Sequence, residues 1–515
     1  MLSRKVFLEL VAPRLGDNQA DADRLVEALP AAAEKAGTRL VAEGVAVPLT
    51  VLRRLPEVLR AAGWRVTAAL GRTEGGWRLQ AVEPGNTAAR QFGLAVDAGT
   101  TTVTAAVIDA SSGRTLAAAA GENAQVAVGA DILTRLHAAE EPGGLAGLQT
   151  LLVRSVNRVA AEAASEARVA PEEITAVAVG ANMTMTHFLL GLDPARVHRE
   201  PYIPAVNAPG FFRAADLGLA VYPEAVVYCL PGVGSYVGGD AVAGVLVSGM
   251  HRRDEVALFV DIGTNGEMVI GNREWLVAAA GAAGPAFESG VVADGMRAAP
   301  GAVERVQIEP DTHKVQYNVI GGGKAQGLCG SAVVDALAGM LLAGIIDRAG
   351  RFRDGREAFV VVPGTETASG TDIAITQQDI KNFLKTKGAV NAAVETLLAA
   401  VGVQPQEIGR FYAAGAFGEH LDVEAAVTIG LYPDLPRDRI ILLGNSSLEG
   451  ARRALVSEEA RRELKEICRR VTYFELNASA DFMARFAGSQ FFPHTDLSLY
   501  PTVAEKLRAA GLLKT

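Results

Sequence analysis

The sequence predicts an α/β chain of two duplicated lobes preceded by a small α+β unit. Three observations predict it. Residues Leu94–Thr102 (LAVDAGTTT) recur as Leu258–Gly266 (LFVDIGTNG), with Asp97 and Asp261 164 residues apart. That distance is too long for a solenoid repeat and suits two duplicated lobes. From Gly93 onward, apolar strands alternate with helical segments and Gly-rich turns, as in α/β folds. The first 90 residues lack that rhythm. The expected divisions are 1–90, 91–250 and 251–515.

In the first division, Lys5–Leu10 alternates as a strand and Asp17–Ala36 carries helical spacing at Ala20, Ala22, Leu25, Val26 and Leu29. Leu49–Ala62 reads as a second helix interrupted by Pro56. Trp64–Leu70 and Trp77–Val82 read as strands joined through Thr73-Glu74-Gly75-Gly76. Glu83-Pro84-Gly85-Asn86 reads as the closing linker.

The chain has 515 residues, 49% hydrophobic and 21% charged, with a formal net charge of -9. It can bury sizeable cores. It shows no clustered basic surface of the kind that nucleic acid requires, so no nucleic-acid partner is expected. The most apolar stretch, Tyr228–Met250, contains Pro231, Asp240 and six glycines. It reads as buried strand, loop and helix rather than a membrane span. Charges near the N-terminus exclude a signal peptide, and a cytoplasmic location is expected. Cys229, Cys329 and Cys468 fit no zinc, iron–sulfur or CxxC spacing, so no iron–sulfur cluster is expected in this chain.

Each echo is a buried strand, an Asp, a Gly two residues later, then hydroxyl or amide residues and a second strand, Val103–Ile108 or Glu267–Ile270. Gly99 and Gly263 let the backbone turn tightly against a ligand. The turn amides form a nest for phosphate oxygens. Thr100, Thr101, Thr102, Thr264, Asn265 and Gly266 complete the two loops, the threonines adding hydroxyl donors. Carboxylates beside phosphate need an intervening cation, so Asp97 and Asp261 point to Mg²⁺, held through water. One such turn alone would read as an ordinary Asp–Gly hairpin; two on matching strands read as one nucleotide cleft. Three further turns supply candidates for its nucleoside side: Gly327, Gly330 and Ser331; Gly415 and Gly418; Gly444 and Asn445. Gly321–Lys324 lacks P-loop spacing.

These loops resemble those of the sugar-kinase, heat-shock-chaperone and actin superfamily. Asn123-Ala124-Gln125, Gly129-Ala130-Asp131, Gly238-Gly239-Asp240, Ala283–Glu288, Gly295–Gly301, Gly327–Ser331, Ala414–Gly418, Gly444-Asn445 and Phe491-Phe492-Pro493-His494 narrow the resemblance to the reductive activators of corrinoid proteins. It covers essentially the whole chain. It implies a duplicated actin-like (ribonuclease-H-like) ATPase that binds ATP. It also implies coupling of hydrolysis to reduction of Co(II) to Co(I) in the corrinoid protein of a methyltransferase system, commonly as a homodimer. Family members usually carry a ferredoxin-type domain that brings the electron. This chain has no four-cysteine set, so either that domain is truncated or the low-potential donor is another protein.

Gln125, Asp131, Asp240 and Glu267 are candidates to activate the hydrolytic water. An N-cap is the plainer role for Asp240. Glu288 and Ser289 are candidates to face the partner, the alternative being a connecting turn. His187 and His494, in apolar surroundings, read as packed or capping residues. Three rival functions share the fold: a small-molecule kinase, an electron activator of acyl-CoA dehydratases, and a nucleotide-dependent chaperone-like binding module.

Overall fold

A computed structural model gives the architecture. It describes all residues except 36, 38–39, 41–44, 264–265, 282–291, 416–420, 477–478 and 514–515. The chain divides into two units, Met1–Leu246 with Ser447–Arg469, and Val247–Ser446 with Arg470–Thr515.

The first unit opens with strand β1 (Ser3–Glu9), helix α1 (Asp21–Lys35), a two-residue β2 (Val45–Ala46), α2 (Leu49–Leu52), α3 (Leu55–Ala61), β3 (Arg65–Thr73) and β4 (Gly76–Pro84). Helix α1 starts four residues later than its spacing suggests. Asp17 instead accepts the Gln19 amide at 3.0 Å and pairs with Arg24, fixing a turn. The expected second helix is two, and Pro56 lies in the first turn of α3, where its missing N–H costs nothing. β3 and β4 pair antiparallel down to Thr73 opposite Gly76, leaving Glu74-Gly75 as the turn. Glu83 and Pro84 belong to β4 rather than to a linker, because the buried Lys5 ammonium binds Glu83 at 2.9 Å. Leu25, Leu29, Leu59, Val66 and Leu79 form the core of this module.

Next come β5 (Phe92–Ala98), β6 (Thr102–Asp109), β7 (Arg114–Glu122), α4 (Ile132–Glu140), α5 (Gly144–Ala167), β8 (Ile174–Gly180), α6 (Met183–Leu190), β9 (Gly210–Arg213), α7 (Ala214–Leu217), β10 (Val226–Cys229) and α8 (Gly239–Ser248). The sheet order is β7-β6-β5-β8-β10-β9. β5 to β7 are antiparallel, while β5, β8 and β10 run parallel. Strands with both faces covered read as continuous apolar runs, as Ile174–Gly180 does, buried at every residue. Helix α5 covers one face through Leu148, Leu152, Val156 and Val159.

The second unit holds β11 (Ala257–Ile262), β12 (Gly266–Gly271), β13 (Leu276–Gly281), β14 (Ala302–Ile308), β15 (Val315–Val319), β16 (Gly327–Leu328), α9 (Gly330–Leu342), β17 (Ala358–Val362), β18 (Ile373–Thr376), α10 (Gln377–Val401), β19 (Arg410–Ala414), α11 (Val423–Thr428) and β20 (Ile440–Gly444). The chain then forms α12 (Ser446–Val456) and α13 (Glu458–Arg470), which return to the first unit. It re-enters the second with β21 (Val471–Tyr473), α14 (Phe482–Ser489) and α15 (Pro501–Ala509). The main sheet of the second unit has the order β20-β19-β11-β12-β13-β21. Its β13-β12-β11-β19-β20 repeats the β7-β6-β5-β8-β10 of the first unit, in pairing direction as well as order. The sequence echo is therefore a structural duplication, and the chain has an actin-like α/β fold behind a small α+β module.

The return is tight. A Cβ at Gly93 would lie 2.7 Å from Leu455, and one at Gly450 would lie 2.4 Å from Ala243. Only a residue without a side chain lets α12 pack this closely on β5 and α8. In the second unit the terminal Phe491–His494 motif is an anchor. The buried Lys387 ammonium donates to the Phe491 carbonyl at 2.6 Å and also to that of Pro493, while the Phe492 amide donates to Arg348 at 2.8 Å.

His187 is fully buried on α6. Its Nδ1 donates to the Met183 carbonyl at 2.8 Å and its Nε2 accepts the Ala205 amide at 3.1 Å. Both bonds require the neutral ring. Burial lowers its pKa below 6.5, against smaller raising effects of the Met183 carbonyl and Asp193. The unfolded chain thus takes up this proton first, and the stability that His187 contributes above about pH 6.5 is lost as pH falls. Stability of His187→Gln should fall less steeply between about pH 7 and pH 5 than that of the wild type, measured by denaturant unfolding across that range. In the same unit, Leu152→Ala should cost roughly 2–5 kcal/mol. Leu133→Ala, at a residue 58% exposed, should change stability by less than about 0.5 kcal/mol in calorimetry.

Candidate functional site

In the first unit, β5 and β6 pair as far as Ala98 opposite Val103, leaving Gly99–Thr102 as the loop. Gly99 is required there, since a Cβ would sit 2.5 Å from the Thr102 carbonyl oxygen. Three consecutive loop carbonyls are held on one side. Asn123 Nδ2 donates to Gly99 at 3.0 Å, Arg135 Nη1 to Thr100 at 2.6 Å, and the Asn123 amide to Thr101 at 2.9 Å. In a planar trans peptide the carbonyl and the following N–H point to opposite sides. The amides of Thr100, Thr101 and Thr102 are therefore turned the other way together, which is the geometry of an anion nest. Asn182 Nδ2 donates to the Thr100 hydroxyl at 3.0 Å, and its Oδ1 caps α6 through the Met185 amide at 2.9 Å.

Asp97 lies opposite Gly180 in the parallel β5–β8 register, at the carboxyl ends of the strands, where α/β sheets bind ligands. Asp240 joins it. The Gly238-Gly239 turn folds against Asn182 and Leu230 so closely that a Cβ on either would lie within 2.8 Å of them. This brings Asp240 into the first turn of α8. Its carboxylate accepts the Ala241 amide at 2.8 Å. Burial raises the Asp240 pKa, the Ala241 bond opposes this, and the Asp97 charge raises it further, to about 7. The N-cap position itself falls to Gly238, so Asp240 is a first-turn carboxylate. Asp131 is instead an N-cap: it accepts the Thr134 amide at 2.9 Å and hydroxyl at 2.6 Å, capping α4. Gln125 is fully buried, with its amide group on the Leu148 carbonyl at 2.8 Å. It serves the loop's support rather than a reacting water.

In the second unit, β11 and β12 pair as far as Ile262 opposite Gly266, with Gly263 opening a shorter loop. Thr264 and Asn265 lie outside the described residues. Glu267 is buried and directly opposite Asp261, so both carboxylates share one face of the sheet. Asp261 pairs with Ala414, and Ala414 with Gly444, at the carboxyl ends of three parallel strands. Gly415 has φ +99°, and a Cβ there would be 2.6 Å from the Ile262 carbonyl and 3.0 Å from Asp261 Oδ1. Its amide donates to the Gly444 carbonyl at 3.1 Å. The register thus brings Asp261, Gly415, Gly444 and Asn445 to one sheet edge.

The turn at 327–331 has packing reasons of its own. A Cβ at Gly327 would meet the Asp294 carbonyl at 2.7 Å, and the Ser331 hydroxyl donates to the Glu304 carbonyl at 2.8 Å. Gly330 opens α9, whose N-terminal amides are the donors this turn can offer. Gly418, Glu288 and Ser289 lie outside the described residues. Arg135 and Asn182 were not singled out from the sequence. Asn182 had a readable signal, an Asn between the apolar strand 174–180 and an apolar helix. Arg135 had none, since a single Arg in LTRLH reads as a solvated helix residue.

Asp97 and Asp261 are hard oxygen donors of the kind Mg²⁺ takes. Among the described residues no group of three or more His, Cys, Asp or Glu side chains could hold a metal. A single carboxylate of this kind fits a cation whose other ligands are phosphate and water, as Mg²⁺ is usually held.

Duplicated five-strand sheets with a glycine hairpin at each first strand define an actin-like nucleotide-binding fold, and comparison with known proteins narrows it. Residues 2–89 match the linker region of RACo, 92–253 its middle region, and 255–504 its C-terminal ASKHA domain. The chain is 30% identical over 420 residues to a corrinoid activation enzyme, RamQ, of Eubacterium limosum, covering 78% of this chain and 70% of that one. It is 29% identical over 262 residues to a [Co(II) methylated amine-specific corrinoid protein] reductase of Methanosarcina barkeri, covering 47% and 46%. A solved reductive activator for a corrinoid, iron–sulfur protein superposes with a TM-score of 0.90 at 39% identity, over 97% of this chain and 80% of that one. The chain belongs to the RACo family of reductive activators of corrinoid proteins.

Gly99→Ala and Gly415→Ala should each weaken nucleotide binding by at least about tenfold, because each Cβ would collide with backbone of a phosphate loop. Gly75→Ala, at an exposed turn outside the left-handed region where a Cβ meets nothing within 4 Å, is the control. Titration calorimetry of ATP against the three variants would check this.

Proposed function

We propose that this protein is an ATP-dependent reductive activator. It binds a corrinoid protein of a methyltransferase system and couples ATP hydrolysis to reduction of its cobalt from Co(II) to Co(I). The observation that supports this most is likeness to a corrinoid activator across almost the whole chain, combined with the loop geometry of the first unit and the matching strand pairing of the second. The electron comes from a low-potential donor, a ferredoxin-type domain or protein. The protein works in the cytoplasm, as a homodimer.

ATP is the nucleotide, held by Asp97–Thr102 and Asp261–Gly266. The backbone amides of Thr100–Thr102 bind phosphate oxygens. Asp97 and Asp261 would hold Mg²⁺ through water, and the bound ion would offset phosphate charge. Asp240 takes the proton of the water that attacks the γ-phosphate, its raised pKa suiting a general base near neutral pH. Glu267, across the strand pair from Asp261 on the same sheet face, is the second carboxylate of that loop. Gly330 and Ser331 with Gly415, Gly444 and Asn445 bound the nucleoside. Reduction of Co(II) is uphill, and the free energy of ATP hydrolysis drives it.

The test mixes the protein with ATP, a low-potential reductant and a Co(II) corrinoid protein, and follows the Co(II)-to-Co(I) spectral change. The expected result is ATP-dependent reduction, with ATPase turnover stimulated by the corrinoid protein. Phosphorylation of a sugar or acid at a higher rate, with no cobalt response, would overturn the reading. Asp240→Asn should lower ATPase turnover about 100-fold or more while leaving ATP affinity within about threefold.

A further inference from the structure

Arg135 projects from α4 and is fully buried. Among the described residues, every hydrogen bond it makes goes to a neutral acceptor. Nε donates to the Gly129 carbonyl at 2.7 Å, and Nη1 to the Thr100 carbonyl at 2.6 Å and to Gln125 Oε1 at 3.3 Å. Nη2 is buried and has no partner among the described residues. The carboxylate that acts on it electrostatically is Asp131, whose two oxygens are spent on the Thr134 amide and hydroxyl. Burial lowers the guanidinium pKa to about 10, and Asp131 offsets this only in part, so the group stays charged at neutral pH.

A buried cation without a bonded carboxylate is costly, and structures keep one only where something compensates. A neutral amide could hold the Thr100 carbonyl equally well: Asn123 Nδ2 does so for Gly99. The charge therefore needs its own explanation. The peptide between Thr100 and Thr101 has its carbonyl on the guanidinium and its N–H on the far side. A cation on the carbonyl polarises that peptide and strengthens its N–H as a donor. The charge also adds its own attraction for an anion across the loop, in a setting where little water screens it.

We propose that Arg135 is a positioning residue of the first phosphate loop. It fixes the Thr100 carbonyl and supplies, through one peptide plane, positive charge that favours polyphosphate over the bare nucleoside. This deepens the ATP reading above and rests on it. Arg135 does not touch the nucleotide.

The test compares affinities of the full chain for ATP and for adenosine, with unfolding temperature measured in parallel. Arg135→Lys keeps the charge but loses the fork that reaches Gly129 and Thr100 together. Arg135→Gln loses the charge as well. The expected result is an ATP-to-adenosine affinity ratio lowered about tenfold in Arg135→Lys and further in Arg135→Gln, with adenosine affinity unchanged. A variant that merely loosened the whole fold would lower the unfolding temperature and move both ligands together or neither. Should either variant fail to fold, Gln125→Glu keeps the guanidinium and sets a carboxylate against Nη1. It should lower the same ratio, and a wild-type ratio in that variant would overturn the proposal. An unchanged ratio in folded Arg135→Gln would overturn it equally. A wild-type chain that binds neither ATP nor ADP would sink the ATP reading itself, a separate outcome.

Discussion

Everything at the candidate site depends on the register of two parallel strand pairs. β5 against β8 sets Asp97 opposite Gly180, and β11 against β19 sets Asp261 opposite Ala414. A one-residue slip would swap the faces of each strand and move each Asp away from the loop that follows it. What prevents a slip is burial on both faces. Val96 and Val260, the residues before each Asp, are 0% and 1% exposed, so neither strand has a polar face to turn inward without cost. Core packing fixes where the acidic groups emerge.

From that register the described supports of the two hairpins differ. The first unit uses polar side chains: Asn123, Arg135 and Asn182 reach the loop from three elements. In the second, the described support is backbone against backbone, with Gly415 pressed on Ile262 and bonded to Gly444. The two solutions have different consequences. A backbone contact fixes shape but adds no net charge. A buried guanidinium fixes shape and changes the local potential, so the first loop is suited to discriminate by charge as well as by fit.

The same contrast explains what could be read from sequence. The hairpins were legible because apolar runs ending in Asp-x-Gly are local patterns, and their repetition exposed the duplication. The small module was legible in its strands but not in its boundaries: Asp17 delays α1, and Lys5 keeps Glu83 within β4. Long-range polar contacts were not legible. Arg135 reaches Thr100 across 35 positions and Asn182 reaches it across 82. No periodicity connects residues so far apart. Glycines were legible as turns but not in purpose. Gly93 and Gly450 look like Gly415 in sequence, yet they admit helix packing, while Gly415 admits a carboxylate.

The acidic groups make the last step. Each unit places a second carboxylate beside the one that ends its first strand, Asp240 with Asp97 and Glu267 with Asp261. Two carboxylates in partly dry surroundings oppose each other's ionisation unless a proton or a cation joins them. In the first unit burial, and to a smaller extent the Asp97 charge, raises Asp240, so that carboxyl holds a proton more tightly than a solvated Asp would. A fold that used these groups only for packing would gain by replacing one of each pair with Asn or Gln. Their presence side by side, next to glycine hairpins and, in the first unit, a loop whose amides are turned outward together, is intelligible where cation, phosphate and a transferable proton meet. That convergence is what ATP hydrolysis requires, and it ties the acidic pairs to the same chemistry as the glycine turns.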